Sequence, residues 1–129
     1  MTLSDMTALH SLTVVIPTLN AAGTLPATLA SLRGGAHEIL VVDGGSTDDT
    51  VDIARIAGAG VASSERGRGI QLQAGGKASS SDWLLFLHAD TRLDEGWRGA
   101  SGVFMAGPAN RGRAAVFGFS LDDPSPQAR

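Results

Sequence analysis

A chain of 129 residues, 43% of them hydrophobic, is large enough for one domain with a real core and too short for two. Its net charge of −3 and scattered basic residues exclude a nucleic-acid footprint, and no apolar run approaches the ~20 residues of a membrane span. Cysteine is absent, which removes disulfides and thiolate metal sites, leaves oxygen and imidazole as metal ligands, and fits a reducing cytoplasm.

Residues 1–11 lack the basic and apolar regions of a signal peptide and read as a flexible leader. Leu12 to Pro17 is a β-branched run that predicts a first strand, closed by a proline that cannot continue a central strand. A turn over residues 18–24 leads into a helix marked by Leu25, Leu29 and Leu32, with Asn20 or Thr24 as its cap and Gly34-Gly35 as its stop.

Glu38 to Asp43 predicts a second strand that ends in a carboxylate. Gly44 to Thr50 turns the chain into a second helix carrying Val51, Ile53, Ala54 and Ala57, with Ser46 or Thr47 expected to accept from its free amides. Val61 to Ser64 is a short third strand. The segment Glu65-Arg66-Gly67-Arg68-Gly69 then precedes a third helix, Ile70 to Ser79, whose few apolar residues predict a peripheral helix or one kept for its polar face.

Trp83 to Leu87 is an unbroken apolar run that ends in His88-Ala89-Asp90. It predicts a fourth strand, buried on both faces, with His88 and Asp90 on one side of an extended chain where they can converge on one cation. A helix from Asp94 to Ala106, a loop over 107–112 and a last strand from Ala114 to Leu121 follow, and residues 122–129 form a polar tail. Three alternations of strand and helix argue for an α/β fold with a mostly parallel sheet and right-handed crossovers over residues 12–121.

Three polar segments fall at the ends of these strands: Pro17-Thr18-Leu19-Asn20, Asp43-Gly44-Gly45-Ser46 and His88-Ala89-Asp90. Together they describe a nucleotide site. Asp43 can accept from a base imide or a ribose hydroxyl, while Gly44 and Gly45 let backbone approach a ligand. Arg66 and Arg68 can fork onto phosphate or stack on a base, and Asp90 with His88 can hold a divalent cation against two phosphates. The plainer reading makes Asp43 and Ser46 turn caps, His88 a core histidine, and the two arginines solvated surface charges.

The segments Val14-Val15-Ile16-Pro17-Thr18-Leu19-Asn20, Val41-Val42-Asp43-Gly44-Gly45-Ser46-Thr47-Asp48 and Leu85-Phe86-Leu87-His88-Ala89-Asp90 resemble the three ordered motifs of family-two glycosyltransferases with the GT-A fold. The His-Ala-Asp form and the Arg-Gly-Arg-Gly segment resemble a bacterial subgroup described as arsenosugar-biosynthesis-type glycosyltransferases. The resemblance implies a three-layer αβα, Rossmann-like domain that binds a UDP- or GDP-linked sugar. Pro17, Thr18, Asn20, Asp43, Gly44, Arg66 and Arg68 would hold the nucleotide. Asp90 matches the last carboxylate of an Asp-x-Asp metal motif whose first carboxylate is replaced by His88, a change that favours Mn2+ over Mg2+.

The implied reaction is metal-dependent, inverting transfer of the sugar to an acceptor hydroxyl. The acceptor-side general base of the family comes from a later segment, so the chain is expected to be the donor-binding part, with a homo-oligomer expected if an apolar sheet end is exposed. The alternatives are a non-catalytic nucleotide-binding or assembly module and a nucleotidyltransferase; the latter expects a basic glycine-rich loop after the first strand, and residues 17–23 contain no lysine or arginine.

Overall fold

The computed structural model describes residues 2, 3, 6, 11–34 and 36–118. Four strands, β1 (Leu12–Thr18), β2 (Glu38–Asp43), β3 (Gly60–Ser63) and β4 (Trp83–Phe86), form one sheet in the order β3-β2-β1-β4. Every neighbouring pair is parallel: Thr18 lies beside Asp43, Asp43 beside Ser63 and Val15 beside Phe86. The helices are α1 (Leu25–Ser31), α2 (Thr50–Ile56), α3 (Arg68–Ala78) and α4 (Trp97–Ala106), followed by a 3-10 turn at Pro108–Asn110.

Side chains alternate across β1 and so sort the helices into two layers. Leu12, Val14 and Ile16 face a core with Leu25, Leu29 and Leu32 around α1, Ala54 of α2, and Trp97 and Met105 of α4. Val15 faces the opposite way and packs with Leu40, Val42, Leu72 and Ala74 under α3. The sheet between these layers makes the three-layer αβα architecture expected of the sequence. Among the described residues, no helix is long and apolar enough to cross a membrane.

Four expectations are corrected. Of the two readings of α3, peripheral or kept for its polar face, the first is corrected, since the helix lies directly on the sheet: a Cβ at Gly75 would stand 2.3 Å from Val15 Cγ1 and 3.2 Å from Val42 Cγ2. Close approach of backbone replaces a greasy stripe. The first strand does not stop at Pro17 but runs through Thr18. Leu12 and Thr18 turn their carbonyls to the β2 side, where they accept from His37 and Gly44, and Val15 turns its carbonyl to Leu87 on the β4 side. By that alternation the missing N–H of Pro17 points to the β4 side beyond the last ladder bond, so the proline costs no hydrogen bond.

The fourth strand is not buried on both faces. It pairs only with β1 and is an edge among the described strands, with Leu84 38% and Phe86 49% exposed on the face away from the larger core. Finally, residues 114–118 form no strand, and Val116 is almost fully exposed; the rest of that expected strand, with the tail over 122–129 and most of the leader, lies outside the described residues. The alternation of small and apolar residues there gave a strand pattern, but no described partner strand takes its hydrogen bonds.

Candidate functional site

The C-terminal ends of β1 and β2 are knitted into one polar cluster around Asp43. Its Oδ1 accepts from the Thr18 hydroxyl at 2.8 Å and the Ser46 hydroxyl at 2.5 Å, and its Oδ2 accepts from the amides of Gly45 at 3.1 Å and Ser46 at 2.8 Å. A carboxylate offers about four lone-pair positions, and all are used. Asp43 is only 4% exposed. Burial alone would raise its pKa, but the Ser46 hydroxyl and amide, the Thr18 hydroxyl and the Gly45 amide hold it below the usual carboxylate value. Gly45 has φ +103°, which gives the turn its sharp bend around the carboxylate.

Asn20 joins the β1 loop to the same turn. It adopts φ +50°, its Oδ1 accepts from the Thr47 amide at 2.8 Å and the Asp48 amide at 3.3 Å, and its own amide donates to Ser46 Oγ at 2.8 Å. Neither Asn20 nor Thr24 caps α1 through its side chain; Thr24 sits at the cap position without such a bond. Likewise Ser46 and Thr47 do not cap α2, because that helix begins only at Thr50. Asp49 stands at the cap position without a side-chain bond, and Asp48 before it accepts at Oδ1 from the Thr50 amide at 3.0 Å and from the Thr50 hydroxyl. These hydrogen bonds hold the exposed Asp48 carboxyl below its usual pKa, that from the Thr50 hydroxyl contributing most.

A buried glutamine, Gln71 of α3, completes the cluster. Its Nε2 donates to the carbonyls of Thr18 and Val42, both at 2.9 Å, and its Oε1 accepts from the Gly67 amide at 3.2 Å. Gly44 is small for this reason: a Cβ there would lie 3.0 Å from Gln71 Oε1. On that side the Gly44 backbone is met by the Gln71 side chain.

Beside the cluster, between the ends of β1 and β4, lies an open cleft of about 240 Å³ lined by Pro17, Arg68, Leu72, Phe86, Leu87 and His88. Its position follows from topology. The chain leaves β1 toward β2 and β3, then returns through α3 to β4 on the other side of β1. The strand order thus reverses at β1, and open α/β sheets bind ligands in the crevice at such a switch point.

His88 and Asp90 are both exposed. They do not lie on an extended strand, since β4 ends at Phe86 and residues 88–91 form a turn closed by the Thr91 amide on the His88 carbonyl at 3.1 Å. The turn is anchored where the Thr28 hydroxyl donates to the Ala89 carbonyl at 2.9 Å. Among the described residues no group of three or more His, Cys, Asp or Glu gathers to hold a metal. One imidazole and one carboxylate fit a cation whose remaining positions are taken by phosphate oxygens and water, and do not fit a cage made of protein alone.

Of the nine residues singled out from the sequence, Pro17, Arg68 and His88 thus share the cleft, while Thr18, Asn20, Asp43 and Gly44 form the cluster beside it. Arg66 is exposed on the turn before α3, and Asp90 follows the cleft residue His88 by two positions. The residue that sequence reasoning missed is Gln71. A polar side chain spaced with Gly67 and Gly75 on the sheet-facing side of a thinly apolar helix was the available signal.

A sequence model of the family described as Glycosyl transferase family 2 matches residues 13–99. A PGL/p-HBAD biosynthesis glycosyltransferase of Mycobacterium bovis is 39% identical over 92 residues, covering 64% of this chain and 36% of that protein. An uncharacterized glycosyltransferase of Mycobacterium tuberculosis is 40% identical over 87 residues, covering 67% of this chain and 39% of that protein. Among solved structures, glucosyl-3-phosphoglycerate synthase from M. tuberculosis in complex with UDP matches with a TM-score of 0.60 and 31% identity over 67% of this chain and 37% of that one. The same synthase has been solved with Mn2+, UDP and glucosyl-3-phosphoglycerate, and matches there at a TM-score of 0.60 and 29% identity, covering 68% of this chain and 38% of that one. TarS of S. aureus, residues 1–349, matches at a TM-score of 0.64 and 22% identity over 73% of this chain and 32% of that one, a likeness of fold. The chain spans 36 to 39% of the length of these curated relatives.

Proposed function

From the premise that this chain belongs to glycosyl transferase family 2, we propose that it is the donor-binding part of a metal-dependent, inverting glycosyltransferase. It takes a UDP- or GDP-linked sugar whose glycosyl group passes to an acceptor hydroxyl. The observation that carries the reading is the cleft at the β1/β4 switch point, where Pro17, Arg68 and His88 meet beside the Asp43 cluster. The family match supports glycosyl rather than nucleotidyl transfer. The neighbouring synthase, solved with UDP and Mn2+, supports a uridine diphosphate and a divalent cation.

On this reading Thr18, Asn20, Asp43 and Gly44 set the shape of the base and ribose end. The four acceptor positions of Asp43 are already occupied, so an imide N–H from a base reaches it only when the Ser46 hydroxyl turns away. Pro17 gives the cleft a rigid apolar wall. Arg66 and Arg68 supply donors to the diphosphate, whose charge they offset. His88 and Asp90 hold the cation, which, when bound, stabilises the diphosphate as it leaves. Deprotonation of the acceptor hydroxyl requires a general base on the acceptor side, a role we assign to none of the described residues.

The His88-Ala89-Asp90 form further suggests the arsenosugar-biosynthesis-type subgroup, and the cysteine-free composition a cytoplasmic setting. Calorimetric titration with UDP and then GDP, with and without Mn2+, tests the donor site. The expected result is binding strengthened by Mn2+, with the Mn2+ effect lost in Asp90→Ala. If the wild-type chain binds neither nucleotide in either condition, the reading fails.

A further inference from the structure

Gln71 stands where three backbone segments meet at the end of the sheet that carries the cleft. Its two amide hydrogens reach the carbonyls of Thr18, the last residue of β1, and Val42, the next to last of β2, and its oxygen receives the Gly67 amide. The residue is 4% exposed. A primary amide suits this junction in a way that other polar side chains do not: an ionised carboxylate has no donor for the carbonyls, and an ammonium has no acceptor for the amide. Gly44 packs against the same group, so the loop after β2 is registered on it as well.

The third segment is the turn that carries Arg66 and enters α3 at Arg68, the arginine of the cleft. Neither guanidinium has a hydrogen-bond or ion-pair partner among the described residues. A long, unpartnered side chain loses much rotamer freedom when it grips a ligand, and a fixed backbone beneath it reduces what remains to be ordered.

We infer that Gln71 is a positioning residue for the nucleotide site: it locks the turn from Arg66 to Arg68 onto the ends of β1 and β2, so that Arg68 is held over the cleft for a diphosphate. It touches no ligand itself. The inference rests on the donor-site reading above.

Calorimetric titration of the full chain with UDP and Mn2+ tests it in wild type, Gln71→Met, Arg68→Ala and the double variant. Methionine keeps the length and loses every hydrogen bond. Each single substitution is expected to weaken binding about tenfold, and the double variant to be no more than about twofold weaker than Arg68→Ala, because an arginine no longer positioned has little left to contribute. Additive losses, about a hundredfold in the double variant, overturn the inference. Amide exchange gives a reading free of ligand: Gln71→Met is expected to lose protection at Gly67 while Val14 and Val41 keep theirs, and a uniform loss would mean that Gln71 only holds the fold together. Should Gln71→Met fail to fold by circular dichroism, Gln71→Asn, which keeps the amide but is one methylene too short to reach all three partners, enters the same cycle with the same expected outcomes. A wild-type chain that binds neither UDP nor GDP overturns the donor-site reading and this assignment together, whereas wild-type binding with additive losses overturns this assignment alone.

Discussion

Asp43 concentrates four hydrogen bonds on one buried carboxylate, and its charge is therefore part of the fold as well as of the site. Asparagine in its place would turn an amide against groups that now donate to it, so Asp43→Asn should destabilise the chain by about 2–4 kcal/mol, measured by denaturant unfolding. The pH dependence has a definite sign. The folded-state pKa lies below the unfolded one, so the stabilisation is fully present above the unfolded value and is lost as pH falls through the folded value, below about pH 4. Unfolding midpoints taken between pH 7 and pH 2.5 should therefore drop in the wild type below pH 4 and drop less in Asp43→Asn. The importance of Asp43 was legible because a carboxylate ending an apolar strand is conspicuous. Which groups it bonds was not, since Thr18 and Ser46 become its neighbours only through strand pairing and the positive φ of Gly45.

At the scale of the element, α3 shows how a helix can be central without being apolar. Gly75→Ala would drive a methyl against Val15, lifting the helix from β1 and β2, and should cost about 1–3 kcal/mol and lower Tm by about 4 °C or more. Gly76→Ala is the control. Its Cβ would meet only Leu84 Cδ1, at an ordinary 3.6 Å, so helix propensity should make the change neutral or stabilising by up to about 1 kcal/mol. Thermal unfolding of the two variants checks both. The sequence left α3 either peripheral or kept for its polar face, because an amphipathic stripe measures the grease a helix carries and not how near its backbone can come. Trp83 to Leu87 misled in the opposite sense: an uninterrupted apolar run predicts burial on both faces, yet whether a strand is central depends on which strands flank it.

For the whole molecule, the order β3-β2-β1-β4 decides where chemistry can occur, and this order is invisible to local pattern. The sequence supplied strands, helices and polar strand ends; the reversal at β1 brought Pro17, Arg68 and His88 to one cleft. The same order leaves β4 with one unpaired edge among the described residues, flanked by the partly exposed Leu84 and Phe86. We expect concentration-dependent self-association through this edge, seen by sedimentation velocity, and its suppression by Phe86→Lys, since a charge on an edge strand opposes pairing with another copy. An unchanged sedimentation profile in that variant would exclude β4 as the contact.

Pro17 acts on this arrangement like the stop on a zipper. Beyond the Leu87-to-Val15 bond its ring offers β4 no hydrogen, so the two strands part at a point fixed by covalent structure, whether or not anything fills the gap. A residue with an N–H at position 17 would offer one more rung, drawing Leu87 and the turn at His88 toward β1. The opening is thus written into the backbone, and evolution can reshape its walls without having to reinvent the doorway.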